Sequence, residues 1–180
     1  MVFCYGSLIW KPVFPPVSTA RATATDWHRS FCLHMQRWRA TPDVPGLMMQ
    51  IDRGGECEGM VQQIAAEGEL ETLHTLWRRE MTIKPPGNLP RWIDVEVAGR
   101  SARAIAFTAN PQSPSYAGKL DLEHIAARLA CACGHWGSNA DYLRQTIISL
   151  NAAGIHDPYL WDMQERVARL IERRFPVACL

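Results

Sequence analysis

Apolar and polar residues alternate through much of the first 110 positions and fall into a helical period thereafter. The run Val2–Tyr5 is apolar, breaks at Tyr5-Gly6-Ser7, and turns apolar again at Leu8, Ile9 and Trp10. Thr19–Thr25 is rich in β-branched residues, and His28–Met35 carries Phe31, Leu33 and Met35 at alternate positions. Both read as strands. GLMMQID and ECEGMVQQI flank Asp52-Arg53-Gly54-Gly55, a turn signal that predicts a hairpin between them. A second hairpin is predicted from Arg91–Val97 to Ala102–Thr108 through Ala98-Gly99-Arg100, with the alternation of half-buried antiparallel strands.

Four segments carry the helical period. Glu67–Met81 repeats Leu70, Leu73 and Trp77. DLEHIAARLACAC opens on Asp121 as N-cap and repeats Leu122, Ile125 and Leu129. Ser138, with Asp141 three residues on, opens a segment carrying Leu143, Ile147 and Leu150 that closes on Gly154. Asp157 and Pro158 open the last helix, predicted to stop before Pro176. Strands first and helices afterwards make an α+β chain rather than an alternating parallel one. Lys84–Pro90 and Asn110–Ser115 read as loops too short to link domains, and no repeat is visible, so residues 1–180 are expected to form a single domain.

Composition narrows the partners. The chain is 47% apolar and 21% charged, with 19 Lys+Arg against 18 Asp+Glu, a net charge of +1. No basic field points to nucleic acid, and Arg37, Arg39 and Arg53 are scattered. No apolar segment approaches the roughly 20 residues of a membrane span. The apolar N-terminal run has no charged region ahead of it, so no export signal is expected. The six cysteines are too irregular for a disulfide framework and read as reduced thiols. The expected setting is cytoplasmic, with a small-molecule substrate, no nucleic acid, no membrane, and a monomer or weak homodimer.

Glu80 is the most informative titratable residue. At 100° per residue it lies within about 20° of Leu73 around the helix axis and joins the stripe of Leu70, Leu73 and Trp77. It also sits in the last turn, where the helix dipole disfavours a carboxylate. One reading is a partly buried acid paired with Arg78, Arg79 or a distant arginine. The other is a general base whose pKa is raised by burial. Helical position leaves both open. Tyr5-Gly6-Ser7 likewise reads either as a plain turn or as a loop presenting N–H groups to an anion. It lacks the pattern of a Walker loop or a dinucleotide turn.

Cys131-Ala-Cys133-Gly-His135 brings metal to mind, but on a helix the two thiols diverge by about 200° and no second pair stands nearby. Small buried thiols at a helix end are the preferred reading, and no metal is expected. A Ser–His–Asp hydrolase finds no support around Ser7, which lacks a Gly-x-Ser-x-Gly elbow.

Together these segments resemble the ChaC-like γ-glutamylcyclotransferase family. VFCYGSLIW is similar to the family's Tyr-Gly-Ser-Leu signature, and PGLMMQID followed by Gly-Gly, WRREM, PSYAGKLDLEHIA, and GSNADYLRQTI with AGIHDPYL follow in the family's order across residues 2–165. The resemblance implies a mixed β-barrel with flanking helices, and cleavage of glutathione to 5-oxoproline and cysteinylglycine without cofactor or metal. It makes Glu80, in the Arg-Glu pair ending the first helix, the catalytic carboxylate. It makes Cys4, Tyr5, Gly6, Ser7, Leu8 and Ile9 the loop that cradles the γ-glutamyl group. Tyr116 and Tyr142 match aromatic positions of the similar segments and are further candidates for substrate contact, or for packing behind it. Two departures stand out: Cys4 replaces the family's usual Gly, and MTIKPPGNLPR follows Glu80 in place of a short stretch containing Gly and Tyr.

Overall fold

The computed structural model describes residues 1–174, so the predicted stop before Pro176 and Cys179 lie outside the described residues. Strands β1 (Val2–Cys4), β2 (Ser18–Met35), β3 (Gly46–Gln63), β4 (Asn88–Val97) and β5 (Arg100–Ala109) close into a barrel in the order β1-β3-β2-β4-β5. β1 lies antiparallel to β3, and its parallel pairing with β5, Val2 opposite Ile105, completes the ring. Helices α1 (Ser7–Trp10) and α2 (Glu69–Glu80) interrupt the strands, whereas α3 (Leu122–Cys131), α4 (Asn139–Ala152) and α5 (Pro158–Arg174) follow them. A short ribbon, β6 (Cys133–Gly134) with β7 (Gly137–Ser138), joins α3 to α4.

The hairpin predicted at Asp52–Gly55 is not formed. β2 and β3 are two continuous 18-residue strands paired along their lengths, and the glycines fall in the middle of β3. Thr25 pairs with Glu56 and Trp27 with Arg53, so one residue of β2 faces two of β3. Asp26, Gly54 and Gly55 all have positive φ (66°, 99° and 71°). The conformation that makes Gly-Gly a turn signal here makes a β-bulge, which bends the ribbon as barrel closure requires. A second register shift follows between Ser30 and Leu33. The Ala98-Gly99 turn does close a hairpin, but β4 begins at Asn88, so the end of the predicted loop Lys84–Pro90 is strand.

Alternation along β1 divides the apolar interior. Phe3 and Tyr5 join a large core that the barrel shares with Leu129, Leu143, Leu160 and Met163 of α3, α4 and α5. Val2 and Cys4 face a smaller cluster with Leu8, Phe14, Leu76 and Phe107, under α1 and α2. The buried face of α2 is rotated from the predicted one: Leu76 is 1% exposed, whereas Leu70 and Trp77 are 73% and 52% exposed. Leu73, Leu76 and Glu80 share the inward side, spaced three and four residues apart. The caps at Asp121, Ser138 and Asp157 form as expected, each side chain accepting the N–H three residues on. α3 stops at Cys131, and both Cys131 and Cys133 are exposed rather than buried thiols.

Candidate active site

The strand, glycine and short helix at the N-terminus meet the end of α2 beside a cavity of about 600 Å³. That size suits a small ligand, for which cavities run from about 300 to 1,000 Å³. One wall is a connected set of polar groups from three segments. Ser7 comes from the start of α1, Arg79 and Glu80 from the last turn of α2, and Asn88 from the first residue of β4. Arg79 Nη2 donates to Ser7 Oγ at 2.9 Å, Nη1 donates to the Lys11 carbonyl, and Nε stands 3.3 Å from Glu80 Oε1. Asn88 Nδ2 donates to Glu80 Oε2 at 3.3 Å. The pairing expected of Glu80 is formed, with its neighbouring arginine, and the carboxylate also lines the cavity with its side chain 17% exposed.

Burial raises the Glu80 pKa above the ordinary carboxylate value, and the Arg79 charge and the Asn88 hydrogen bond act against it. Burial likewise lifts the Cys4 thiol far above its ordinary range, with the Glu80 charge adding to it. Tyr142 is pushed up to about 12, by burial first and then by Glu80, so its phenol stays neutral beside the carboxylate.

The candidate residues divide. Ser7, Glu80 and Tyr142 line the cavity. Gly6 is not in the cavity wall but packs against Tyr142, which is: a Cβ there would stand 3.1 Å from Met49 Cε and 3.2 Å from the Tyr142 hydroxyl, closer than ordinary contacts. The other side chains point away. Cys4 and Leu8 are buried in the cluster under α2, Ile9 packs against the core, and the Tyr5 hydroxyl lies between Gln50 Oε1 and the Phe107 carbonyl. For these four, only the backbone can face a ligand. Tyr116 is outside the cavity wall and donates to Asp52 Oδ2 at 2.5 Å, a bond that pushes its pKa up to about 12. Thr82, Ile83 and Gly87, from the stretch that departs from the family pattern, do line the cavity.

Several residues in or behind the cavity wall carried no signal of their own in the sequence. Arg29 of β2 is 5% exposed and donates to the Tyr5 carbonyl at 2.8 Å, while its Nη1 meets Asp157 Oδ2 at 2.6 Å. A carbonyl held toward Arg29 turns the N–H of Gly6 the opposite way, because the trans peptide is planar. The second wall comes from separate loops: Trp38 and Trp136 stack with centroids 5.7 Å apart, and Lys11 Nζ lies 5.2 Å from the Trp136 centroid. Arg39 lies over Trp10 and Tyr142 and pairs with Asp141.

Fold and cavity define a small barrel protein whose cavity is lined by one carboxylate held beside an arginine. The ChaC-like protein family model matches residues 1–170, and the chain belongs to that family. It is 34% identical over 176 residues to the glutathione-specific gamma-glutamylcyclotransferase of Escherichia coli (strain K12), spanning 97% of this chain and 75% of that protein. It is 29% identical over 177 residues to gamma-glutamylcyclotransferase 2-3 of Arabidopsis thaliana, spanning 94% and 89%. In fold it is similar to a yeast gamma-glutamyl cyclotransferase specific to glutathione, with a TM-score of 0.84 at 19% identity over 93% of this chain and 95% of that one. Among the described residues, no helix is long and apolar enough to cross a membrane.

Proposed function

We propose that this chain is a glutathione-specific γ-glutamylcyclotransferase that releases 5-oxoproline and cysteinylglycine, with Glu80 as general acid and base. The single observation that carries the reading is a cavity-lining carboxylate, its pKa raised by burial, held at the end of α2 in a member of the ChaC-like family. The likeness to the Escherichia coli enzyme supports glutathione as the substrate.

The reaction needs little from the protein beyond proton transfer and geometry. Glu80 accepts a proton from the substrate's α-ammonium. The freed amine attacks the γ-carbonyl, and a five-membered ring closes as its nitrogen gives up a second proton to water. The carbon–nitrogen bond to cysteine breaks as Glu80 returns the first proton to the leaving amine, which takes its final proton from water. A raised pKa brings the acid closer to the operating pH and serves both transfers. Holding the γ-glutamyl chain folded makes the attack intramolecular, which is worth several kcal/mol of orientation. The N–H groups at Gly6, Ser7 and Leu8 supply donors for the α-carboxylate or the oxygen gaining charge, since the first N–H groups of a helix have no acceptor within it. Ser7 is held in place by Arg79, Gly6 by Arg29 through the Tyr5 carbonyl, and Tyr142 closes the site over Gly6. Residues 1–180 serve this activity as one domain, in the cytoplasm, where glutathione is kept reduced.

The test is product analysis with purified protein. Equimolar 5-oxoproline and cysteinylglycine from glutathione, with at least tenfold lower kcat/KM on γ-glutamylamines, is the expected result. Turnover of γ-glutamylamines alone, or of none of these compounds, overturns the reading.

A further inference from the structure

A buried ion pair holds the N-terminal loop from outside the cavity. Neither Arg29 of β2 nor Asp157 at the start of α5 lines the cavity, and their side chains are 2% and 15% exposed. The guanidinium divides its nitrogens among three segments. Nε donates to the Tyr5 carbonyl at 2.8 Å, Nη1 to Asp157 Oδ2 at 2.6 Å, and Nη2 to the Glu58 carbonyl. Asp157 is used as fully, since its Oδ1 accepts the Leu160 N–H at 3.1 Å and caps α5. A planar fork serves three acceptors in this way, whereas the point charge of a lysine does not.

One of these contacts bears on the site. The Tyr5–Gly6 peptide joins β1 to α1 and leads directly into Ser7, which does line the cavity. Such a peptide turns over readily, because glycine lacks the side chain that restricts φ. The Gly6 N–H donates to no group among the described residues, so the carbonyl edge alone is fixed. Arg29 fixes it, and in a planar unit that sets the direction in which the chain enters Ser7. Ser7 is thus held twice, by Arg79 at its hydroxyl and by Arg29 through the peptide before it. A buried arginine requires a counter-charge, and Asp157 supplies it. Arg29 and Asp157 also line a second cavity of about 790 Å³, which shares no lining residue with the first.

We propose that Arg29 and Asp157 are positioning residues of the active site: Asp157 sets the guanidinium, the guanidinium sets the Tyr5–Gly6 peptide, and the peptide sets Ser7 in the cavity wall. The inference rests on the cyclotransferase reading above and extends its machinery to the start of α5. Neither residue touches substrate. A pair that only braced the fold would lower the melting temperature and leave kcat/KM of the folded protein unchanged, whereas a positioning pair lowers kcat/KM.

The experiment reads the clamp with and without catalysis. Arg29→Ala, Arg29→Lys and Asp157→Asn are compared with wild type by thermal melts, by kcat/KM for 5-oxoproline release from glutathione, and by the NMR shifts of the Gly6 and Ser7 amides. Asp157→Asn keeps an oxygen for the Leu160 N–H, since asparagine caps a helix as well as aspartate, and removes the charge alone. The expected loss of kcat/KM is about 100-fold in Arg29→Ala and about tenfold in the other two, the scale of a misplaced contact, with both amide shifts displaced in all three. Guanidinium chloride, kept well below denaturing concentration, enters through the second cavity and raises kcat/KM of Arg29→Ala severalfold, where sodium chloride at equal ionic strength does not. If Arg29→Ala fails to fold, Arg29→Lys and Asp157→Asn decide. Wild-type kcat/KM or unmoved amide shifts in the folded variants, or a folded Arg29→Ala that guanidinium leaves unrescued, overturn the positioning role. Displaced amide shifts in variants of a wild type that releases no 5-oxoproline overturn the proposed reaction and leave the clamp standing.

Discussion

The two walls of the cavity are built on opposite plans. Around Glu80 the polar groups hold one another: Arg79 reaches Ser7, the Lys11 carbonyl and Glu80, and Asn88 holds the other carboxylate oxygen. Around Asn139 they hold little: a buried Nδ2 without an acceptor among the described residues and a lysine resting on a tryptophan face. Proton transfer needs a group whose position and pKa are set before substrate arrives, whereas recognition of a leaving group needs donors that the substrate itself completes. On the proposed reading, losses in the first wall lower kcat and losses in the second raise KM.

Substitutions around Glu80 test the pre-set wall most severely. Arg79→Met removes both the anchor of Ser7 and the charge that opposes burial of Glu80. The Glu80 pKa then rises further, because burial acts with less opposition. We expect kcat to fall about 100-fold at neutral pH, within the range for mispositioned acid–base groups, and the acid limb of the pH–rate profile to move to higher pH. An unmoved limb in steady-state rates would detach Arg79 from the carboxylate. Gly6→Ala places a methyl against Met49 and the Tyr142 hydroxyl, so kcat/KM should fall about tenfold, the scale of a misplaced substrate contact, with the melting temperature nearly unchanged.

Trp136→Ala probes the other wall. Trp136 is 57% exposed and stacked on Trp38, so its removal should raise KM for glutathione a fewfold, with kcat held. A fall in kcat without a change in KM would erase the distinction between the walls. The smallest effect is on stability. Between the unfolded pKa of Glu80 and its higher folded value, the folded state binds more protons, so stability declines as pH rises through that window. Thermal melts of Glu80→Gln should lie at or above wild type at pH 8, with any advantage lost as pH falls below about 4, where the acid is protonated in both states.

Legibility in the sequence followed the range of the interactions. The β4–β5 hairpin and the capped starts of α3, α4 and α5 were readable because neighbours in sequence decide them. Gly54-Gly55 was misread because a positive φ serves a turn and a bulge equally, and only pairing with β2 separates the two. Glu80 stood out by its place on α2, although Leu70 and Trp77, the residues that seemed to define its face, point to solvent. The motif supplied the loop but not the direction of its side chains: alternation along β1 sends Cys4 under α2, which leaves the substitution of Gly by Cys outside the cavity. Arg29, Asn139 and the meeting of Lys11, Trp38 and Trp136 were invisible, since only the packing of loops and helices on the barrel brings these distant segments together.

The most direct test is 5-oxoproline release from glutathione by wild type and Glu80→Gln, with both shown to be folded by thermal melts. The account predicts equimolar products from wild type and a 100- to 10,000-fold loss of kcat in Glu80→Gln, the range for a lost general acid–base, with KM little changed. Glu80→Gln turning over within a fewfold of wild type would contradict it and move the proton transfers to another group.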